Sequence, residues 1–252
     1  MPSQKYILFV FGCQRSGTTA LIKSFKSHDN IRVFNEVDEI IHRNSDDKFR
    51  IRLKPLNELD QIFSSIDEDV IVLKPLVESS KAIDYLNYFS NSYAIWAIRQ
   101  FEDVVFSMLK KWGPNVGSSL LKAIKKEARE NWRSATTARF FEYLKQTNIS
   151  KLSPESSGAL FWYIRNTFYL EQELYKSPNL KLLEYDKLVS HDMYFKSVLD
   201  EIDFPISLHS FEFKRKTLSN KLNNVGPTIR LLCDDLYLNI INNPNKYNDV
   251  ED

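Results

Sequence analysis

The segment VFGCQRSGTTALI, residues 10–22, constrains the fold more than any other part of the sequence. It joins an apolar, strand-like run at residues 6–11 to residues 19–25, where apolar side chains recur at helical spacing. Gly12 and Gly17 bracket the turn between these two patterns. The segment therefore predicts a strand, a loop and a helix in direct succession.

The same succession recurs along the chain. An apolar run at residues 70–73 precedes a helical pattern at 80–89, and another run at 93–98 precedes a helical pattern at 102–111. A fourth strand is predicted at 180–185. Because wholly apolar strands that alternate with helices indicate a parallel sheet covered on both faces, the predicted fold class is α/β, a P-loop-type three-layer fold with a central parallel sheet flanked by helices.

A helix-rich insertion is predicted at about residues 116–176. Residues 117–146 are rich in Lys, Glu, Ala and Arg, and Ser153 is placed as the N-cap of a long helix that runs to about Tyr175. We expect these helices to form a lid over the ligand-binding edge of the sheet.

The C-terminal part is predicted to add one helix, at residues 228–241, and a tail at about 243–252 that frays. The sequence contains no internal repeat and no stretch with the composition of a linker. Residues 1–252 are therefore predicted to form one domain with room for a substantial core.

The charge balance argues against partners that bind by bulk electrostatic attraction. Thirty-four basic and thirty-three acidic side chains leave a formal charge of +1, so we expect neither a nucleic acid nor a membrane as partner. Two cysteines are too few for a disulfide framework, and the four histidines lack metal-ligand spacing, so no metal is predicted. With no leader before the first strand and no apolar stretch near the ~20 residues of a membrane span, we expect a cytoplasmic protein. The oligomeric state stays open.

The loop resembles an ATP-binding Walker A sequence but lacks its lysine. Gly12 and Gly17 have the Walker separation, whereas Thr18 occupies the lysine position and the positive charge lies earlier, at Arg15. Backbone amides, hydroxyls and the N-terminus of the following helix can still hold a phosphate. Such a loop is less suited to a magnesium triphosphate than to a nucleotide with a short 5′ end.

Two motifs together resemble a known family. GCQRSGTT resembles the 5′-phosphosulfate loop of the sulfotransferases that use 3′-phosphoadenosine 5′-phosphosulfate (PAPS), in particular the branch with tyrosylprotein and heparan sulfotransferases. IRQFEDVVFSMLKKW resembles the family's 3′-phosphate segment, in which an arginine at a strand end and a serine eight residues later hold the 3′-phosphate; here these are Arg99 and Ser107. An arginine at the carboxyl edge of a sheet and a hydroxyl in the next helix can converge on one dianion.

The resemblance implies a set of nucleotide contacts. The residues implied to bind the nucleotide are Gly12, Arg15, Ser16, Gly17, Thr18, Thr19, Arg99, Ser107, Lys111, Tyr185 and Lys216. Tyr185 comes from LEYDKLVSH, which is similar to the family's Y-x-x-L-V segment, and Lys111 follows Ser107 by four residues. Lys216 belongs to a basic C-terminal stretch in which Lys214, Arg215 and Lys221 remain alternatives.

The resemblance also implies the catalytic groups. In NEVDE the family's general base aligns with Glu36, with Asp38 and Glu39 as competitors, and VLKPL presents Lys74 to the sulfuryl group. Arg15 is implied to stabilise the leaving phosphate. The sequence departs from the family at Phe101, where proline is frequent, and LKPLVE lacks the histidine base of the steroid and phenol enzymes.

The predicted function is therefore metal-free, in-line sulfuryl transfer from PAPS to a hydroxyl or amine of a small metabolite or natural product, with 3′,5′-ADP (PAP) as product. Two alternatives remain open. One is a P-loop kinase that uses Mg-ATP, and the other is a non-catalytic relative that keeps the nucleotide cleft.

Overall fold

A five-stranded parallel sheet is built around β1 (Tyr6–Gly12), which is buried from Ile7 onward. The computed structural model describes residues 5–26, 28–35, 40–43, 51–126, 135–191, 193–206, 213 and 222–242. The other strands of the sheet are β2 (Ile31–Phe34), β5 (Val70–Leu73), β6 (Ser92–Ile98) and β7 (Leu180–Glu184). Their order is β2-β5-β1-β6-β7, and every neighbouring pair is parallel. All the carboxyl ends therefore lie along one edge of the sheet, where the loop after β1 begins.

Alternating side chains of β1 meet helices on opposite faces of the sheet. Leu8 and Val10 belong to one buried cluster with residues of α1 (Thr18–Phe25) and α9 (Tyr194–Asp200). Phe9 faces the other way, with its ring centroid 5.4 Å from that of Tyr85. Since successive strand residues point to opposite faces, this pattern confirms the predicted three-layer α/β fold.

The chain forms two compact units. Unit 1 comprises Met1–Ile98 and Gln172–Arg215, and it holds the sheet. Its remaining elements are β3 (Ile41–Arg43), β4 (Ile51–Leu53), α2 (Leu56–Ser64), a 3₁₀ helix (Leu76–Lys81), α3 (Ala82–Tyr88), a second 3₁₀ helix (Leu174–Lys176) and α8 (Tyr185–Ser190).

Unit 2 comprises Arg99–Glu171 and Lys216–Asp252 and is helical in its described part. Its elements are α4 (Phe101–Trp112), α5 (Val116–Lys125), α6 (Ala138–Gln146), a 3₁₀ helix (Ile149–Lys151), α7 (Pro154–Glu171) and α10 (Pro227–Asn242). Helix α7 is buried on almost every side, and α4, α5 and α10 pack against it. Within the described part of the chain, no helix has the length and apolar content needed to cross a membrane.

Most of the predicted strands and helices are confirmed, with corrections at their ends. The helix predicted at 80–89 starts earlier as the 3₁₀ turn Leu76–Lys81 and becomes α-helical only at Ala82. The strand predicted at 180–185 ends one residue sooner, because Tyr185 already opens α8. Ser153 does cap α7 by accepting a hydrogen bond from the Ser156 N–H at 3.0 Å.

Three strands were not predicted. β2 has only four residues, and Arg32 interrupts its apolar pattern, as is tolerated at the edge of a sheet. β3 and β4 form a separate antiparallel hairpin of three-residue strands.

The single-domain prediction stays a prediction, and the predicted fraying tail lies outside the described residues.

A buried carboxylate anchors the β3–β4 hairpin to the 3₁₀ helix that follows β5. Glu78 is only 3% exposed, and its Oε1 accepts a hydrogen bond from the Leu53 N–H at 3.0 Å. Its Oε2 lies 3.2 Å from Arg52 Nη1. The carboxylate thus pairs with a strand amide and a neighbouring cation, which offsets the free-energy cost of burying its charge.

We expect Glu78→Ala to lower the free energy of unfolding by about 2 kcal/mol, because the Leu53 N–H and Arg52 lose their shared partner. The urea midpoint of unfolding, followed by circular dichroism, measures the effect. Glu142→Ala is the matched control, since the Glu142 side chain is 63% exposed and pairs with Lys145 at the surface. Equal midpoints for the two variants would contradict an anchoring role for Glu78.

Candidate functional site

The loop begins where β1 comes very close to β6. Gly12 has a φ of +128°, and a Cβ atom at this position would lie 2.4 Å from the Ala97 carbonyl oxygen. Ser79 Oγ accepts a hydrogen bond from the Gly12 N–H at 3.2 Å. Only glycine fits this position, so β1 can end level with β6 and release the chain into the loop.

The turn itself contains two further residues with positive φ. Arg15 has a φ of +74° and Gly17 a φ of +87°, and the Ser16 N–H donates to the Cys13 carbonyl at 3.3 Å. Gly17 is the N-cap of α1, whose first turn carries no acidic residue and no capping side chain. The N–H groups of that first turn, together with the helix dipole, are therefore suited to an anion.

Tyr185 packs directly on this glycine. A Cβ atom at Gly17 would lie 2.3 Å from Tyr185 Cδ2 and 2.6 Å from Cε2. The Tyr185 side chain is buried, and its residue opens α8 immediately after β7. The ring thus covers the loop at its turn, and Gly17 is required there by both its backbone conformation and its neighbour.

Two side chains of the loop carry buried polar atoms that have no hydrogen-bond partner in the part of the chain that the structure describes. Gln14 is 9% exposed, and neither its amide nitrogen nor its amide oxygen has a hydrogen-bond partner within the described residues. The same holds for the fully buried Ser16 Oγ. Unpaired buried polar atoms cost about 1–3 kcal/mol each, so the loop is chemically suited to a bound polar group that completes their hydrogen bonds.

Lys74 meets the loop from the neighbouring strand. Lys74 Nζ donates a hydrogen bond to Thr19 Oγ1 at 3.3 Å, and the Lys74 N–H donates to the Phe34 carbonyl at 3.3 Å. Unit 1 therefore brings Lys74, Tyr185 and the whole loop from Gly12 to Thr19 together. These residues come from three separate parts of the sequence.

In unit 2, Arg99 is held at its side chain and its backbone. Its Nε and Nη2 donate to Asp103 Oδ2 at 3.1 and 2.7 Å. The Trp162 indole N–H donates to the Arg99 carbonyl at 3.0 Å, and the Trp162 side chain is fully buried in unit 2. Trp162 is thus a core residue that touches the backbone of a predicted site residue.

The other two predicted residues of this segment lie on α4. Ser107 is partly buried, and Lys111 is exposed with its Nζ 5.5 Å from the centroid of the Trp112 ring. Asp103, Ser107 and Lys111 follow one another at intervals of four residues, which places them on one face of α4. Arg99, bound to Asp103, is thereby connected to the face that carries Ser107.

Sequence reasoning missed two residues that support the predicted ones. Asp103 could have been found, because an acid four residues after an arginine at a helix start is a recognisable pairing pattern. Ser79 could not have been found from the sequence, since no pattern in it indicates which serine contacts Gly12. The predicted Glu36 and Lys216, and the alternatives Asp38, Glu39, Lys214, Arg215 and Lys221, lie outside the described residues.

Two of the cavities in the described part of unit 1 differ in where they lie relative to the loop. One, of about 690 Å³, is lined by Tyr6, Ile31 and Val70 at the amino ends of the strands, away from the loop. Another, of about 330 Å³, is lined by Arg52, Lys81 and neighbouring residues of β4, α2 and the 3₁₀ helix after Lys74.

Among the described residues, no group of three or more His, Cys, Asp or Glu side chains could hold a metal ion.

Comparison with solved structures finds sulfotransferases of similar fold. The sulfotransferase from Alicyclobacillus acidocaldarius is similar over 90% of this chain and 89% of that chain, with a TM-score of 0.51 and 11% sequence identity. This likeness shows that the chain has the sulfotransferase fold. Comparison with protein-family models gives no match, and neither does comparison with curated proteins.

Two further sulfotransferases show a more distant likeness. Mouse SULT7A1, solved in complex with PAP, is 11% identical over 80% of this chain and 60% of that chain, with a TM-score of 0.42. STF9 from Mycobacterium avium is 12% identical over 95% of this chain and 69% of that chain, also with a TM-score of 0.42.

We expect Gly17→Ala to lower the free energy of unfolding by about 3 kcal/mol, since it adds both a left-handed backbone strain of about 1–2 kcal/mol and an overlap with the Tyr185 ring. Unfolding in urea measures the loss. Gly113→Ala is a control for the added Cβ atom, because no described atom lies within 4 Å of a Cβ placed at Gly113; its ψ of 172° differs from the −2° of Gly17, so its backbone strain is not the same.

The double variant isolates the contact. In a Tyr185→Ala background, the cost of Gly17→Ala should fall to that of the left-handed backbone strain, about 1–2 kcal/mol, because the overlap with the ring is gone. An unchanged cost in that background would refute the packing of Tyr185 on Gly17.

Proposed function

We propose that this protein transfers the sulfuryl group of PAPS to a hydroxyl or amine of a small-molecule acceptor. The observation that carries the proposal is the 3.3 Å hydrogen bond from Lys74 Nζ to Thr19 Oγ1. The sequence resemblance assigned Lys74 to the sulfuryl group and Thr19 to the nucleotide-binding loop, from motifs 55 residues apart. The fold shared with a bacterial sulfotransferase supports the same class of reaction.

The loop is assigned to the 5′-phosphosulfate. Its uncapped helix N-terminus, the buried Ser16 hydroxyl and the Gln14 amide favour an anion over a neutral group. Thr18 stands where an ATP-binding loop has its lysine, which disfavours a triphosphate with magnesium. Tyr185, whose ring covers Gly17, is assigned to the adenosine side of the nucleotide.

Arg99 and Ser107 are assigned to the 3′-phosphate. An arginine supplies paired N–H donors to a phosphate, and a helix hydroxyl adds a further donor. The α4 face that carries Asp103, Ser107 and Lys111 supports this assignment, because Arg99 is bound to its first member. Lys216 is retained as a further contact on the strength of the sequence resemblance alone.

The chemical step needs a base and charge stabilisation. The acceptor oxygen or nitrogen forms a bond to sulfur while the bond from sulfur to the 5′-phosphate oxygen breaks. The acceptor proton passes to Glu36, and 3′,5′-ADP leaves. Arg15 and Lys74 stabilise the negative charge that grows on the sulfuryl oxygens and the leaving phosphate.

The acceptor is assigned to the cavity of about 330 Å³ beside the 3₁₀ helix that begins two residues after Lys74. Its volume is within the range of small-molecule sites. Its lining includes Arg52, Lys54 and Lys81 as well as Glu58 and Asp84, which favours a polar acceptor.

We expect 3′,5′-ADP without magnesium to raise the melting temperature, and Mg-ATP to have little effect. At a ligand concentration about 100 times Kd, the stabilisation is about 2.7 kcal/mol. Differential scanning fluorimetry with each ligand measures the shift. The reverse preference would indicate a kinase and would overturn the proposal. Transfer of labelled sulfate from PAPS to an acceptor panel then separates an enzyme from a non-catalytic binder.

We expect Glu36→Gln to lower turnover by about 100-fold and to leave 3′,5′-ADP affinity almost unchanged, because the amide keeps the shape of the side chain but cannot accept the proton. Initial rates of sulfate transfer and calorimetric titration provide the two measurements. Asp38→Asn and Glu39→Gln are the matched controls. If one of them, and not Glu36→Gln, lost turnover, the base would be that residue instead.

A further inference from the structure

We propose that Tyr85 is a specificity-determining residue whose hydroxyl binds a second polar group of the acceptor, beside the oxygen or nitrogen that receives the sulfuryl group. This role rests on the proposed function and deepens it by naming a class of acceptor. The acceptor is a small molecule that carries a further hydroxyl or carbonyl oxygen besides its attacking atom. Tyr85 is outside the set of residues that the family resemblance implies.

The Tyr85 ring is held by aromatic packing near the end of β1. The residue is only 5% exposed. Its ring centroid lies 5.4 Å from that of Phe9 and 6.2 Å from that of Phe11, with both pairs edge to face. Because Phe11 directly precedes Gly12, the ring lies beside the end of the strand from which the loop starts. The packing therefore fixes where the hydroxyl lies.

The Tyr85 hydroxyl is accessible from the acceptor cavity. Tyr85 is one of the residues that line the cavity of about 330 Å³. Within the part of the chain that the structure describes, its hydroxyl makes no hydrogen bond, and its oxygen is not fully enclosed by protein. The hydroxyl of a buried tyrosine usually has a hydrogen-bond partner, so this one is suited to a partner that enters the cavity.

The surroundings of Tyr85 keep its hydroxyl protonated. Burial, followed by the negative charge of Glu78, raises the pKa of Tyr85 above its usual value. The Glu78 carboxylate itself is occupied, since it accepts a hydrogen bond from the Leu53 N–H and pairs with Arg52. Tyr85 thus keeps its proton at neutral pH and can donate a hydrogen bond to an oxygen atom of a bound molecule.

The charges around the cavity favour a neutral oxygen at this position over a charged group. The lining has equal numbers of cationic and anionic side chains: Arg52, Lys54 and Lys81 against Glu58, Glu78 and Asp84. A charged group beside Tyr85 would meet charges of both signs and would lose its hydration on entering. A hydroxyl or carbonyl oxygen needs only a donor, which Tyr85 supplies.

The test compares Tyr85→Phe with Tyr88→Phe. Both variants remove one hydroxyl from α3 and keep the ring, but Tyr88 is 45% exposed and lies outside the residues that line the cavity. We expect Tyr85→Phe to shift the melting temperature by less than about 2 °C, because its hydroxyl makes no hydrogen bond within the described residues. A larger fall would indicate a structural role and would count against the inference.

Initial rates of sulfate transfer from PAPS are measured with two series of probes. One series is phenol with catechol, resorcinol and hydroquinone, and the other is n-butanol with the butanediols. The diols of each series carry one more hydroxyl than the parent alcohol or phenol, placed at different distances from the first.

We expect the unmodified protein to prefer at least one dihydroxy probe over its monohydroxy parent by about tenfold in kcat/KM. Tyr85→Phe should lose this preference through a higher KM for the dihydroxy probe, and Tyr88→Phe should keep it. Equal rates for the two kinds of probe, a preference that survives in Tyr85→Phe, or an equal loss for both kinds would overturn the inference.

Binding of 3′,5′-ADP to the unmodified protein, measured by calorimetry without metal, separates this role from the proposed function. If 3′,5′-ADP does not bind, the proposed function fails and the role of Tyr85 fails with it. If 3′,5′-ADP binds but neither series shows a preference for a second hydroxyl, only the role of Tyr85 is refuted.

Discussion

The close packing of three chain segments around one glycine-bounded turn is the constraint on which the site depends. β1 can reach the level of β6 only because Gly12 has no side chain to overlap the Ala97 carbonyl oxygen. The turn can pass beneath the Tyr185 ring only because Gly17 also has no side chain. Ser79 binds the start of the turn and Lys74 contacts its end. A short loop of polar residues is thus held in one shape by its surroundings, which is what a pre-organised anion site requires.

Local arrangement, and not overall charge, provides the positive field of this site. The chain is almost neutral, at +1, so its long-range field attracts no anion strongly. The helix N-terminus at Gly17 and the ammonium of Lys74 each act over a short distance. Under the proposed function, each phosphate group of the nucleotide meets its own localised donors.

The fold was largely predictable from the sequence, because the buried strands β1, β5 and β6 are continuous apolar runs followed by amphipathic helices. β2 and the β3–β4 hairpin escaped prediction, since three or four residues carry too little pattern and their pairing depends on distant partners. The loop and Lys74 were found because they lie in local motifs. The contacts of Ser79 with Gly12 and of Trp162 with Arg99 were not predicted, because each contact joins residues more than sixty positions apart.

The contact between Tyr185 and Gly17 also has a consequence for the order of folding. Gly17 belongs to the first βα unit, whereas Tyr185 follows β7, the last strand of the sheet along the chain. Contacts between residues so far apart in sequence form late, because the chain must first lose the entropy of the long intervening segment. During synthesis the loop leaves the ribosome before β7 and α8, and it acquires its covering ring only after both have been made. The loop is therefore translated well before the contact that covers it can form.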